Sequence, residues 1–467
     1  MSSYLLNNDT IAALATPHGS GAIAVIRLSG SKAFSITETV FRTKHLKPKL
    51  LQLKNSHTAH FGVIVNQNNQ IIDEVLVTIF KAPNTYTGED VIEISCHGST
   101  YIQQQILQLL YAQGARPAQA GEFTLRAFLN GKFDLSQAEA VADLIASHSA
   151  ASHQVAMQQM RGGFSHQIAL LRENLLNFAS LIELELDFSE EDVEFANRKE
   201  LNHLVQTILQ SIRKLIQSFE IGNVIKNGVP VAIVGKPNAG KSTLLNMLLE
   251  DERAIVSEIP GTTRDTIEDQ LIINGILFRF IDTAGIRNTT DVIEQIGVNK
   301  AFEVIKKSAI VIYLFDVSSI DKRTLQQEIN QIKEHLGKAH LLIVGNKIDA
   351  LAKDELLHKF SEIDNLIYIS AKQNQHIDTL KNNLTQLFNT STIQATETVV
   401  TNSRHVDSLI KAQQALQKVI EGLEQNIQSD FLALDIRYAL EALSEITGNV
   451  SSEDLLGNIF GKFCIGK

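Results

Sequence analysis

Eight residues near the middle of the chain, Gly235-Lys236-Pro237-Asn238-Ala239-Gly240-Lys241-Ser242, follow directly on the apolar run Val229–Val234 and leave little freedom in how that region folds. They fit the phosphate-loop pattern G-x-x-x-x-G-K-[ST]. Its glycines let backbone N–H groups converge on a β-phosphate, Lys241 brings a point charge to the β/γ oxygens, and the Ser242 hydroxyl suits Mg²⁺. Such a loop works only between a strand and a helix. The pattern therefore predicts a strand over 229–234, a helix after the loop, and a ligand crevice at the carboxyl ends of parallel strands.

The surrounding block, from about Asn227 to Phe388, repeats short Val/Ile/Leu runs: Leu271–Ile273, Leu277–Ile281, Ile310–Phe315, Leu341–Val344 and Leu366–Ile369. Helical segments separate most of them, as expected for a doubly wound α/β sheet whose strands are buried on both faces. Asn274-Gly275 breaks the rule. It is a two-residue type I′ hairpin signal, so one edge strand is expected to run antiparallel.

Three further motifs follow in order. Asp282-Thr283-Ala284-Gly285 would stand at a strand end, where a carboxylate can hold Mg²⁺ through water and a glycine N–H can meet the γ-phosphate. Asn346-Lys347-Ile348-Asp349 supplies a carboxylate that accepts from both N1–H and N2 of guanine, whereas adenine offers an acceptor at N1 and no N2 amine; GTP is favoured over ATP. Ser370-Ala371-Lys372 falls where a second guanine-contacting loop is expected. Together these motifs resemble the Ras-like GTPase superfamily. Ile286, after Gly285, has no polar atom to orient an attacking water, so another group must do so. Within Gly261-Thr262-Thr263-Arg264-Asp265, Thr263 is the natural Mg²⁺ ligand; Arg264 is either a charge donor or a solvated side chain.

The flanks differ in texture. Asp9 to about Lys132 mixes short β-branched runs (Ile23–Leu28, Ile71–Phe80, Val91–Ser95) with Gly and Pro and reads as α+β. Helical spacing begins near Leu135, with Ile168, Leu171, Leu175, Phe178 and Ile182 on one stripe. It returns with Leu409, Leu416, Val419 and Leu423, and with a helix from about Phe431 that stops at Gly448. The chain has 42 Lys+Arg against 52 Asp+Glu, a net charge of −10. No global positive field is available to hold RNA, so any RNA contact is expected to be local or made through a partner. Two cysteines, Cys96 and Cys464, exclude a disulfide framework and a four-cysteine zinc module. Neither a leader segment nor a membrane span is expected, and a reducing cytoplasm fits.

The phosphate loop, Gly261–Asp265 and the segment Phe463-Cys464-Ile465-Gly466-Lys467 resemble the MnmE (TrmE) family of tRNA-modification GTPases. So do Pro17-His18-Gly19-Ser20-Gly21, Tyr86-Thr87-Gly88-Glu89-Asp90-Val91 and the run Gly121 to Asn130, so the likeness covers essentially the whole chain. It implies an α+β tetrahydrofolate-binding and dimerising domain over 1–131, a helical domain in two parts over 132–226 and 390–467, and a Ras-like GTPase domain over 227–389 inserted between them. It also implies K⁺ activation, with Asn238, Ser257, Ile259 and Thr262 as ligands; by residue type alone Asn238 reads as a turn former. A water-positioning role for Glu294 comes from the same resemblance, since without it Glu294 reads as a solvated helix-start residue. Arg287 stays outside the catalytic set. Folate contacts are implied for Arg27, Glu93, Lys132 and Lys467, and the donor for a 5-formyl- or methylene-tetrahydrofolate.

The expected GTP site thus comprises Asn238, Ala239, Gly240, Lys241, Ser242, Thr243, Ser257, Thr262, Thr263, Asp282, Thr283, Ala284, Gly285, Asn346, Lys347, Asp349, Ser370, Ala371 and Lys372. Lys241, Asn238, Thr263 and Glu294 are the catalytic set, and Ser242 and Thr263 the Mg²⁺ ligands. The resemblance implies a homodimer that works with a flavoprotein, MnmG (GidA), in a heterotetramer or larger complex on C5 of the wobble uridine, position 34. The alternative is a regulatory or ribosome-assembly GTPase without RNA chemistry. Cys464-Ile465-Gly466-Lys467 is not a prenylation box, because Gly466 is not aliphatic and Lys467 is not a usual terminal residue. The family places Cys464 near the folate, where a thiolate has modification chemistry to offer or a structural or metal-related role to play. Cys96 reads as a small buried hydrophobe.

Overall fold

The computed structural model describes residues 9–187, 198–250, 269–281, 302–361, 363–387, 398–425 and 427–466. They fall into two compact units, one built from Met1–Ile145, Met157–Arg213 and Asp407–Lys467, the other from Ala146–Ala156 and Lys214–Val406.

The first unit holds a seven-stranded sheet from β1 (Ile11–Leu14), β2 (Ile23–Ser29), β3 (Phe41–Arg42), β4 (Thr58–Val65), β5 (Ile71–Phe80), β6 (Val91–His97) and β7 (Arg116–Pro117), in the order β3-β4-β5-β6-β2-β1-β7. Its pairings are antiparallel except β1 with β7. Alternation along β5 buries Asp73, Val75, Val77 and Ile79 and leaves Glu74 and Leu76 exposed. One face of the sheet therefore carries the core, completed by Phe34 and Ile36 of the helix Ala33–Val40 and by Ile106 and Leu110 of the helix Thr100–Ala112.

Helices complete this unit. On the predicted stripe of Gly163–Asp187, Ile168, Leu171, Leu175 and Ile182 are buried and Phe178 is half-buried. That helix packs on Ser429–Thr447, and Arg172 Nε donates to Ser444 Oγ at 2.8 Å. Gly448 caps the second helix at φ +83°, where a Cβ would sit 2.8 Å from Leu135 and 2.9 Å from Phe128. Leu456 and Phe460 of the helix Glu453–Phe460 then bury against Leu125, Leu135 and Ala138.

The second unit holds β8 (Val229–Val234), β9 (Asp269–Ile273), β10 (Ile276–Phe280), β11 (Ile310–Asp316), β12 (His340–Asn346) and β13 (Leu366–Tyr368), in the order β13-β12-β11-β8-β10-β9. All pairings are parallel except β9 with β10, the predicted hairpin. Asn274 (φ +50°) and Gly275 (φ +80°) turn it, as a type I′ turn requires. A mostly parallel sheet with one antiparallel edge is the architecture expected from the sequence. The chain enters the sheet from the end of the helix Arg198–Asn227 and leaves beside it: Val400 N donates to Ser218 Oγ at 3.1 Å, and a Cβ on Gly222 would lie 2.1 Å from Val400 O. No described helix is long and apolar enough to cross a membrane.

Candidate GTP and folate sites

Because β8, β11, β12 and β13 are parallel, their carboxyl ends share one edge, and the chemistry-bearing loops follow from it. The loop after β8 is built by backbone constraint. Gly235 has φ +153° and a Cβ there would lie 2.0 Å from Leu314 O; Gly240 has φ +98° and its Cβ would lie 2.2 Å from Asn346 Nδ2. Only glycine fits either position. Asn238 also adopts a left-handed conformation, φ +64°, with an exposed side chain.

Lys241 opens the helix Lys241–Glu250 and curls over its own loop, donating to Gly235 O at 2.7 Å and Lys236 O at 3.0 Å. Burial lowers the pKa of its ammonium, because desolvation disfavours the charge. An anion in the cradle would restore that charge's partner. Ser242 and Thr243 stand in the first helical turn, Ser242 half-buried and Thr243 exposed, where the helix dipole and orphan N–H groups favour phosphate.

Asn346, at the end of β12, is 2% exposed and engaged at both ends of its side chain. Nδ2 donates to Ala239 O at 2.8 Å and Oδ1 accepts from Ala371 N at 3.0 Å. It binds the phosphate loop to the Ser370-Ala371-Lys372 loop. Asp349 lies in the 3₁₀ turn Ile348–Ala350, and its Oδ1 accepts from the buried Ser370 hydroxyl at 2.6 Å. Lys347, at φ +68°, donates from Nζ to Asp316 Oδ2 at 2.6 Å. Burial alone would raise the pKa of Asp316, but hydrogen bonds from Lys347 and Ser318 outweigh it and hold the carboxyl below its ordinary value. Asp316 was absent from the predicted set. A carboxylate directly after an apolar strand of a parallel sheet was the signal that could have found it.

Two of the three glycine-bearing motifs of the first unit, Tyr86–Val91 and Gly121–Asn130, prove to be partners. Tyr86 Oη and Thr124 Oγ1 are 2.8 Å apart, Asn130 Nδ2 donates to Thr87 O at 2.7 Å, and Arg126 Nη1 reaches Glu89 Oε2 at 3.1 Å. Arg126, 8% exposed at its side chain, also pairs with Asp9 at 2.6 Å and Glu122 at 3.1 Å. For Asp9 and Glu122 alike, burial raises the pKa, but hydrogen bonds from Arg116, which pairs with both, and then the Arg126 guanidinium overcome it and hold both carboxyls low.

This frame presents Arg27 on β2. Its guanidinium lies 5.5 Å from the Tyr86 ring centroid and 5.7 Å from that of Phe123, and Nε donates to Glu93 Oε1, its cross-strand partner, at 2.9 Å. Of the four expected folate residues, the structure brings Arg27 and Glu93 together; Lys132 is exposed in the turn after Gly131. Ile465 bridges Ala120, and Gly466 (φ +97°) lies against Leu14, where a Cβ would meet Leu14 O at 2.1 Å. Leu14 pairs with Ile26, next to Arg27, so the segment carrying exposed Cys464 runs to this part of the sheet. Cys96 on β6 is buried and its thiol pKa is pushed up to about 11, mainly by desolvation, as suits an inert core residue.

Ser257, Ile259, Thr262, Thr263, Asp282, Thr283, Ala284, Gly285, Glu294 and Lys467 lie outside the described residues, as do Arg264, Ile286 and Arg287. Among the described residues, no group of three or more His, Cys, Asp and Glu side chains converges as a metal cluster.

A family model described as the MnmE helical domain matches residues 135–464, and one described as the GTP-binding protein TrmE N-terminus matches 10–132. Curated relatives are similar along the whole chain. The tRNA modification GTPase MnmE of Flavobacterium johnsoniae is 60% identical over 99% of this chain and 100% of its own length. Those of Flavobacterium psychrophilum and Bacteroides fragilis are 58% and 52% identical, each over 99% of this chain and 100% of their own length.

Proposed function

Because this chain belongs to the MnmE family of tRNA modification GTPases, we propose that it hydrolyses GTP on the six-stranded sheet and spends that cycle on tRNA modification. The observation that carries the reading is Asn346, which binds the phosphate loop and the guanine-side loop into one edge with Lys241 and Asp349. Backbone amides of the glycine loop and the Lys241 ammonium take the β/γ-phosphates. Asp349, steadied by Ser370, accepts from guanine N1–H and N2.

The donor set fits the implied ions so far as it is described: a first-turn hydroxyl, Ser242, for Mg²⁺ with Thr263, and the exposed amide of Asn238 for K⁺ with Ser257, Ile259 and Thr262. Bound there, the two cations would offset charge developing on the β/γ bridge. Glu294 orients the attacking water. On the first unit, Arg27, Glu93, Lys132 and Lys467 take a 5-formyl- or methylene-tetrahydrofolate, whose carboxylates suit Arg and Lys and whose pterin amino edge suits a carboxylate.

The proposed domain limits are 1–131, 132–226 with 390–467, and 227–389. The protein works in the cytoplasm as a homodimer with the flavoprotein MnmG, and together they add an aminomethyl or carboxymethylaminomethyl group to C5 of uridine 34. The net charge of −10 supports tRNA contact made mainly through that partner.

Two measurements test the proposal. Wobble-uridine nucleosides should lose the modification in cells lacking this chain, and normal nucleosides would return the reading to a regulatory GTPase. GTP turnover should rise in K⁺ over Na⁺ at equal ionic strength; equal rates would remove the cation cage.

A further inference from the structure

Lys236, the first variable position of the phosphate loop, reaches away from the loop to Glu328 on the helix Lys322–His335, where Nζ pairs with Oε1. The other oxygen of Glu328 accepts the hydroxyl of Tyr313, which is 3% exposed on β11. We propose that Tyr313, Glu328 and Lys236 form one brace that fixes the phosphate loop, with Tyr313 and Glu328 acting as positioning residues for GTP hydrolysis through Lys236.

An ion pair at a surface lysine ordinarily contributes little, since two mobile side chains must be ordered in high dielectric. Here one partner is already ordered. The Glu328 side chain is 19% exposed and held by a hydroxyl whose ring is packed beside Phe315, at 6.0 Å between centroids. Burial, reinforced by the neighbouring carboxylate, holds the Tyr313 pKa far above its ordinary value, so the hydroxyl stays a donor. The far end of the brace is also committed. Lys236 O accepts from Lys241 Nζ at 3.0 Å and from Ala239 N at 3.3 Å, so a shift of residue 236 moves the catalytic ammonium with it. The same strand meets the loop a second time, where Leu314 O abuts Gly235 and admits only glycine. Strand β11 therefore sets the loop through its backbone at 314 and through a side-chain chain from 313.

This inference rests on the GTPase reading, so the wild-type full-length chain is measured first in K⁺ and Mg²⁺: no GTP turnover would overturn that reading, whereas a turning-over wild type with unaffected variants would overturn the brace alone. Tyr313→Phe, Glu328→Gln and Lys236→Met are each expected to lower kcat about fivefold while KM for GTP stays within about twofold, because the brace tunes position rather than adding a nucleotide contact. Lys236→Arg should keep most of the turnover, since a guanidinium can still reach Glu328. The double variant Tyr313→Phe/Glu328→Gln should be no slower than Glu328→Gln alone, as expected of residues in one chain. Each rate is divided by the stoichiometry of bound fluorescent GDP, which counts folded sites. Unchanged kcat per site in Glu328→Gln, or multiplying effects in the double variant, would overturn the proposal.

Discussion

Ser370 Oγ donates a 2.6 Å hydrogen bond to Asp349 Oδ1 and thereby fixes, from a different loop, the carboxylate proposed to read guanine. The Ser370 hydroxyl itself accepts from Gln373 N at 3.2 Å, so its own rotamer is held.

Removing that hydroxyl should cost specificity. Ser370→Ala frees Asp349 to rotate, and the loss of one hydrogen bond to a charged group, about 1.5–3 kcal/mol, corresponds to roughly a ten- to hundredfold weaker Kd for GTP. Asp349→Asn should go further, because an amide offers guanine one acceptor and one mismatched donor, while xanthine, with a carbonyl at C2, suits it better. Competition of GTP and XTP against fluorescent GDP reads both; an unchanged GTP/XTP ratio in Asp349→Asn would remove this residue from base recognition.

Asn346→Ala should couple lost stability to lost nucleotide binding. It leaves Ala239 O and Ala371 N without their partner, each a desolvation penalty of about 1–3 kcal/mol in the folded state. Thermal unfolding with and without GDP separates the two effects. Wild type should gain about 2.7 kcal/mol at a ligand concentration of 100 Kd, and the variant much less at the same concentration. A variant with a lower melting temperature but a full GDP-induced rise would make Asn346 purely structural.

These residues were legible to different depths, for physical reasons. The glycines of the phosphate loop were readable because positive φ and a backbone approach of 2.0 Å at Leu314 O admit no other side chain. Asn274-Gly275 gave the antiparallel edge because a two-residue turn demands φ > 0 at both positions. Asn346 was found through the guanine motif, yet its bonds run to Ala239 and Ala371, 107 and 25 residues away. Local spacing carries no trace of such partners. The same holds for Arg126, which stood inside a recognised segment while its role depends on Asp9 and Glu89 brought in by sheet pairing. Strand ends were extended by the structure, from Phe315 to Asp316 and from Val344 to Asn346, because polar residues that close a buried strand break its apolar pattern but not its ladder.

The Arg126 network sets an acid limit on the first unit. Asp9 and Glu122 have folded-state pKa values held below their ordinary 3.8 and 4.5, so their contribution to stability is full above those values and is lost as pH falls through the lowered ones. The melting temperature of the full chain should therefore be flat near neutrality and drop below about pH 4. Arg126→Met leaves Glu89 without its arginine and Asp9 and Glu122 with Arg116 alone, so part of the carboxylate charge is stranded, at a cost of about 1–3 kcal/mol at pH 7. The gap to wild type should narrow on acidification, as protonation relieves the stranded charges. A gap independent of pH would assign the loss to packing instead.

Arg27 tests the folate assignment. Its guanidinium is flanked by the rings of Tyr86 and Phe123 and bonded to Glu93, a half-buried cation with one planar face already ordered. Arg27→Met keeps the aliphatic stem between the rings and removes the charge, so folding should survive while an anionic ligand loses its bidentate partner. Glu93→Gln keeps the shape and removes the acceptor for a pterin amino edge. Each should weaken tetrahydrofolate binding at least tenfold, about 1.4 kcal/mol, in equilibrium dialysis of the full chain. GDP affinity, read on the same preparations, should not change, because the six-stranded sheet carries that site. Folate affinity equal to wild type in both variants would detach the one-carbon donor from this pair.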